Sequence, residues 1–156
     1  MADQPLVTVI TVTYNSSKYV RKAIESILAS SYTNFELLIS DDASSDNTWE
    51  IIQEYKDERI VACRNTTNIG EYNNRNKCIK LAKGEFIFFI DGDDMLFFRG
   101  IEDAIREMLR YPECQFGVVN TQSLKCVGPI KISSEDAFNL EFFGGGVVDG
   151  SLTNNV

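Results

Sequence analysis

Apolar and polar positions along the chain switch repeatedly between a period of two and a helical period. Leu6-Val7-Thr8-Val9-Ile10-Thr11-Val12 is β-branched and apolar, which predicts a strand. Val20, Ala23, Ile24, Ile27 and Leu28 then share one face at helical spacing, with Ser16 or Ser17 placed to cap the start. Phe35-Glu36-Leu37-Leu38-Ile39 predicts a second strand. The polar turn at 41–47 leads into a helix carrying Trp49, Ile51, Ile52 and Tyr55. Ile60-Val61-Ala62-Cys63 is a short strand and 65–70 a loop. A helix from near residue 72 to 82 is ended by Gly84. Phe86-Ile87-Phe88-Phe89-Ile90 has the length and composition of a strand buried on both faces. Ile101, Ala104, Ile105, Met108 and Leu109 mark a further amphipathic helix, stopped before Pro112. Phe116-Gly117-Val118-Val119 predicts another strand, and Ser133 with Asp136 suits the start of a short helix to about Phe143, before Gly144-Gly145-Gly146.

Strands alternating with helices imply an α/β fold, a mostly parallel, Rossmann-like sheet with helices on both faces. Ligands of such sheets bind outside the carboxyl ends of the strands. Three polar segments fall there: Thr13-Tyr14-Asn15, Asp41-Asp42 and Asp91-Gly92-Asp93-Asp94. They are far apart in sequence and are expected to converge in space. Clustered carboxylates after an apolar strand are expensive unless a cation shares the site, and a hard divalent ion suits oxygen ligands. Gly92 lets the backbone turn and keeps the approach clear. Tyr14 offers a flat face for a nucleobase, and Asp42 an acceptor for a base N–H once Asp46 takes the helix start. Arg75 is the natural partner of a diphosphate, whereas Lys77 reads as a solvated cation on a helix face, together with its neighbours Asn74 and Asn76. Plainer readings stand beside these: a turn at 13–15, a helix cap at 41–42, a loop at 68–70 and a polar turn at 91–94. Glu135-Asp136 reads as a helix start.

Composition narrows the chemistry. A length of 156 residues suits one domain with a real core. The net charge of −8 leaves no spare cationic field for nucleic acid. The absence of histidine removes histidine triads, histidine-held zinc and a histidine base. Cys63, Cys78, Cys114 and Cys126 form no CxxC pair and read as reduced thiols of a cytosolic protein. No stretch has the length of a membrane span, and residues 1–5 lack the pattern of a signal peptide.

Four motifs now occur in order. They are Val9-Ile10-Thr11-Val12-Thr13-Tyr14-Asn15, then Asp41-Asp42-Ala43-Ser44-Ser45-Asp46-Asn47-Thr48, then Asn68-Ile69-Gly70 with Arg75-Asn76, and Asp91-Gly92-Asp93-Asp94 preceded by Ala82-Lys83-Gly84-Glu85-Phe86. In this the chain resembles the inverting glycosyltransferases of family 2, which have the GT-A nucleotide-sugar-binding fold. Cys78 stands where the family usually has glycine, and beyond Thr121 the likeness is loose. The resemblance implies a nucleotide-sugar site made of Thr13, Tyr14, Asn15, Asp41, Asp42, Asn68, Gly70, Arg75, Asp91, Gly92 and Asp93. Tyr14 would line the base pocket, Asp42 would accept from the base and Arg75 would lie near the diphosphate. Asp91 and Asp93 would contact ribose and metal. Asp93 or Asp94 would ligate Mn²⁺ or Mg²⁺, which would neutralise the diphosphate leaving group. A UDP-sugar donor and a saccharide or lipid-linked acceptor are implied.

The resemblance also implies a general base, a carboxylate well downstream of the Asp91 segment and usually in a Glu-Asp pair. Glu102-Asp103 and Glu135-Asp136 both follow too closely. The base is therefore expected beyond Val156, and residues 1–156 are expected to form one GT-A domain truncated before it, in a cytoplasmic protein or one peripheral at the inner membrane face. Two rival readings differ in kind. A nucleotidyltransferase would bring a glycine-rich, basic phosphate loop after the first strand, where this chain has Tyr14-Asn15-Ser16-Ser17-Lys18. A non-catalytic module would bind a nucleotide sugar without transfer. A cut sheet would also leave an open strand able to pair with a second copy as a homo-oligomer.

Overall fold

Every residue of the first strand, β1 (Val7–Thr13), is buried, and the rest of the architecture explains why. The structure, a computed structural model, describes residues 4–114. After β1 come α1 (Val20–Leu28), β2 (Phe35–Asp41), α2 (Thr48–Gln53), β3 (Ile60–Arg64), α3 (Glu71–Leu81), β4 (Phe86–Phe89) and α4 (Gly100–Arg110). The strands form one sheet in the order β3-β2-β1-β4, and each pairing is parallel. β1 thus has a strand on either side. A first compact unit, Met1–Ile105, holds this sheet; of the second, from Arg106 on, the structure describes the end of α4 and residues 111–114.

The alternation of the strands supplies two cores. Val7 and Val9 of β1 and Leu37 and Ile39 of β2 point to one face, against Val20, Ile24 and Ile27 of α1, Ile52 of α2, and Ile101 and Ile105 of α4. Ile10, Val12 and Leu38 point to the other, against Cys78 of α3. Helices therefore cover both faces, as the α/β reading requires.

Two expectations need correction. The run 86–90 is not buried on both faces: β4 alternates, with Ile87 and Phe89 exposed at 38% and 44% while Phe86 and Phe88 pack on the core. β4 has β1 on one side and no other described strand, and α3 lies over β1 and β2. The carboxylate segment thus follows an edge strand of the described sheet, and the strands buried on both faces are β1 and β2. Ser16 and Ser17 do not cap α1 with their hydroxyls; the amides of Tyr19 and Val20 both donate to the Ser16 carbonyl at 2.9 Å. The strand expected at 116–119 and the short helix at 133–143 lie outside the described residues, as does Cys126. Cys63, Cys78 and Cys114 are free thiols. No described helix is long and apolar enough to cross a membrane.

Two local devices shape the carboxyl rim of the sheet. Asp46 joins the loop after β1 to the start of α2: Oδ2 accepts from the Ser17 amide (3.1 Å), and Oδ1 from the amide (3.0 Å) and hydroxyl of Thr48. Past β4 the chain continues against β1, with the amides of Ile90 and Gly92 donating to the carbonyls of Ile10 (3.0 Å) and Val12 (3.2 Å). A Cβ on Gly92 would lie 2.5 Å from Thr13 Cγ2 and 3.2 Å from the Val12 carbonyl oxygen, so only glycine permits this approach.

Gly92→Val should therefore cost about 1–3 kcal/mol, seen as a lower midpoint in urea unfolding, because the branched side chain has to displace Thr13. Asp46 gives an acid-limb prediction. Partial burial pushes its carboxyl up, but the hydrogen bonds from Thr48 and Ser17 outweigh this and hold it at about 2, below its ordinary 3.8. A carboxyl lowered by folding stabilises above its unfolded value, and that contribution disappears as pH falls toward about 2. The difference in thermal midpoint between the wild type and Asp46→Asn should be full at pH 6 and shrink steadily from pH 4 downward; a pH-independent difference would show that the charge contributes nothing.

Candidate functional site

The parallel register places Thr13, Asp41 and Arg64 in one row across the ends of β1, β2 and β3. Asp41 is fully buried there, where an unpaired carboxylate would be costly. Its Oδ1 accepts from the hydroxyls of Thr13 (3.3 Å) and Ser44, and its Oδ2 accepts from the Ser44 amide (3.1 Å) and forms an ion pair with Arg64, whose Nε lies 3.1 Å away. Arg64 also donates to the Ser44 carbonyl at 2.6 Å. Both oxygens of Asp41 are thus occupied inside the turn that follows β2.

That turn is bolted to the loop after β1. The Asn15 amide donates to Ser44 Oγ (2.9 Å), and Asn15 Oδ1 accepts from the amide (2.8 Å) and hydroxyl (3.2 Å) of Ser45. Asn15 and Ala43 both take left-handed backbone, at φ 51° and 61°. Asparagine tolerates this, whereas alanine pays roughly 1–2 kcal/mol. Such strain persists only where the surroundings impose it. Tyr14 projects from this loop with half its surface exposed.

Asp42 is the next knot. It is 3% exposed, and its amide donates to the Thr13 carbonyl at 2.8 Å. Its Oδ1 accepts from Asn65 Nδ2 (2.7 Å) and the Ile69 amide (3.0 Å), and its Oδ2 from the Gly70 amide (2.9 Å), which Asn68 Oδ1 shares at 3.0 Å. Gly70, at φ 84°, is the left-handed residue that turns the loop into α3. An open cleft of about 520 Å³, lined by Ala43, Arg64, Asn65 and Thr66, runs past this point.

On the β4 side, Arg75 of α3 reaches Asp91 Oδ1 at 2.6 Å and Glu71 at 2.9 Å, with its guanidinium 5.7 Å from the centre of the Phe89 ring. Its Nε is buried and has no hydrogen-bond partner among the described residues. The Asp94 amide closes a turn onto the Asp91 carbonyl (3.0 Å), leaving Asp93 and Asp94 exposed. Partial burial, then the neighbouring charges of Asp93 and Asp91, push the Asp94 carboxyl up. Like charges held this close favour a cation. No three acidic or thiol side chains among the described residues converge to hold a metal on their own. Two carboxylates at a turn suit Mg²⁺ or Mn²⁺ all the same, since these ions commonly take one or two carboxylates together with substrate phosphates.

The structure thus brings together Thr13, Asn15, Asp41, Asp42, Asn68 and Gly70, and pairs Arg75 with Asp91 beside Gly92, Asp93 and Asp94. Two readings fail. Asn74 is not on a solvated face but 1% exposed, and the Lys77 ammonium is not in open water, donating to Asn65 Oδ1 at 2.7 Å and lying 3.6 Å from Cys63 Sγ. Sequence reasoning gave no role in the site to Ser40, Asn65 or Asn74. A signal was present in α3, which carries no apolar stripe: its buried positions are Asn74 and Cys78, one turn apart.

Comparison with known proteins bears on this geometry. The family model described as "Glycosyl transferase family 2" matches residues 8–139. An Escherichia coli protein named UDP-Glc:alpha-D-GlcNAc-diphosphoundecaprenol beta-1,3-glucosyltransferase WfgD is 36% identical over 137 residues, 84% of this chain and 54% of its own length. Another of the same activity, WfaP, is 39% identical over 103 residues, 66% of this chain and 41% of its own. The chain spans about half the length of these curated relatives. A crystal structure of residues 1–349 of S. aureus TarS in complex with UDP-GlcNAc matches with a TM-score of 0.64 and 31% identity, covering 68% of this chain and 32% of that one. A Pyrobaculum calidifontis mannosyltransferase in complex with GDP-Man and Mn²⁺, at 23% identity and a TM-score of 0.65 over 69% of this chain and 33% of that one, shares the fold. The fold is the expected GT-A type. Since the family match takes in the strand ends, turns and carboxylate segment from which the site is built, this chain belongs to glycosyl transferase family 2.

Proposed function

We propose that this chain binds the nucleoside-diphosphate-sugar donor of a glycosyltransferase that moves the sugar to an acceptor hydroxyl with inversion at the anomeric carbon. One observation carries the reading: a buried Asp42 beside exposed Tyr14, and an Arg75–Asp91 pair beside Asp93 and Asp94, stand at the same rim of one parallel sheet. Tyr14 supplies a face for the base and Asp42 an acceptor for its N–H. Asn68 and Gly70 hold the loop onto Asp42, while Asp41 and Asn15 hold the turns. Arg75 places a guanidinium where a diphosphate can share it with Asp91.

A Mn²⁺ or Mg²⁺ ion on Asp93 and Asp94 would offset the charge that develops on the departing diphosphate. In the transfer, an acceptor oxygen bonds to the anomeric carbon from the face opposite the diphosphate as the carbon–oxygen bond to the diphosphate breaks. The hydroxyl proton leaves to a base, a role assigned to no described residue. A uridine donor and a lipid-linked saccharide acceptor are favoured by the names of the two E. coli relatives, and UDP-GlcNAc occupies the related TarS structure. Such an acceptor would bring the whole protein to the cytoplasmic face of the membrane.

Calorimetric titration of UDP, GDP and dTDP, each with and without Mn²⁺, tests this. UDP should bind best, with Mn²⁺ dependence, and Asp93→Ala/Asp94→Ala should weaken it about tenfold or more. Absence of binding by any nucleotide would overturn the donor-site reading. Arg75→Met should weaken UDP about tenfold while uridine changes by less than about twofold, because the guanidinium meets phosphate and not base.

A further inference from the structure

Beside Asp42 lies a cluster of polar side chains outside the four motifs. Asn65 is at its centre, and both N–H groups and the oxygen of its amide are engaged. Oδ1 accepts from Lys77 Nζ at 2.7 Å, and Nδ2 donates to Asp42 Oδ1 at 2.7 Å and to Asn74 Oδ1 at 3.0 Å. Asn74 is locked in turn, accepting from Ser40 Oγ (2.6 Å) and donating to the Ser40 carbonyl (3.0 Å). Asp42 Oδ1 and Asn74 Oδ1 can only accept and Lys77 can only donate, so the three together fix the oxygen of Asn65 toward Lys77 and the NH₂ toward Asp42. The opposite amide orientation would set a carbonyl oxygen against a buried carboxylate.

This has a consequence for what Asp42 can recognise. Oδ1 already takes two donors, Asn65 Nδ2 and the Ile69 amide, which matches its two lone pairs. Oδ2 takes only the Gly70 amide among the described residues. The carboxylate therefore offers a ligand one acceptor position, not two. Uracil presents a single ring N–H between two carbonyls. Guanine presents two adjacent donors, N1–H and the 2-amino group, which call for both oxygens of a carboxylate. Ala43 and Asn65, joined to Asp42 by the chain and by a hydrogen bond, both line the open cleft.

We propose that Asn65, oriented by Asn74 and Lys77, is a specificity-determining positioning residue: by occupying Asp42 Oδ1 it leaves a one-acceptor site that selects a uracil-type base over guanine. This rests on the reading of Asp42 as the base acceptor. The dissociation constants of UDP, N3-methyl-UDP and GDP, measured with Mn²⁺ on the 156-residue chain and on single variants, test both. The wild type should prefer UDP to each of the other two by about tenfold or more. Asn65→Ala and Asn65→Leu each remove the side-chain donor to Oδ1. Each should shrink the UDP-to-GDP preference about fivefold or more, while Lys77→Arg, which leaves that donor in place, should retain it. A ratio left unchanged by both Asn65 variants, or a wild type indifferent between UDP and GDP, overturns the proposal. If Asn65→Ala does not fold, the Asn65→Leu variant, which keeps the side-chain volume, decides. The reading of Asp42 is judged separately: Asp42→Asn should abolish the discrimination against N3-methyl-UDP. If that discrimination survives in Asp42→Asn, the base contact itself is misassigned; if it is lost while the Asn65 variants keep the wild-type UDP-to-GDP ratio, only the inference falls.

Discussion

A buried carboxylate at the end of a parallel strand has to be given donors, and meeting that demand organises this rim of the protein. Asp41 and Asp42 are consecutive, nearly solvent-free and both need partners. Their partners come from four separate segments: Thr13 of β1, Ser44 of the turn after β2, Arg64 and Asn65 at the end of β3, and the Ile69 and Gly70 amides before α3. Satisfying two side chains therefore ties every loop on that half of the rim. The strain at Ala43 and the left-handed Gly70 are set by the same requirement.

The β4 half works with opposite conditions. There the carboxylates are exposed or half-exposed, and water can solvate them. One cation, Arg75, reaches Asp91 and Glu71, while Asp93 and Asp94 face outward. In a chain with 15 basic residues against 23 acidic ones, placing a guanidinium at this point is a specific choice. The two halves thus differ in kind: directional hydrogen bonding around Asp42, and charge balance near Asp91. Gly92 joins them by letting the chain after β4 lie directly on Thr13.

Much of this was legible in the chain. Periodicity, composition and turn residues together located all eight described elements, α3 without an apolar stripe to mark it, and the alternation of strand and helix implied a parallel sheet with polar segments meeting at its carboxyl edge. Misreadings came where a local pattern has two tertiary outcomes. An apolar pentapeptide such as 86–90 can be a doubly buried strand or an edge strand, and its neighbours decide which. Lys77 and Asn74 sit in a polar run that looks solvated. In the folded chain one is buried and the other clamps an asparagine, because β2 and the end of β3 supply the partners.

By itself, then, the sequence determined the order and kind of elements, the chemistry of the three strand-end segments and, through four ordered motifs, the family. Those features depend on residues close together along the chain, where side-chain period and turn chemistry act directly. Only the tertiary structure decided which carboxylates are occupied within the protein and which remain open. It alone assembled Ser40, Asn65, Asn74 and Lys77 around Asp42, because hydrogen bonding of a buried group is settled by segments that meet only when the sheet closes.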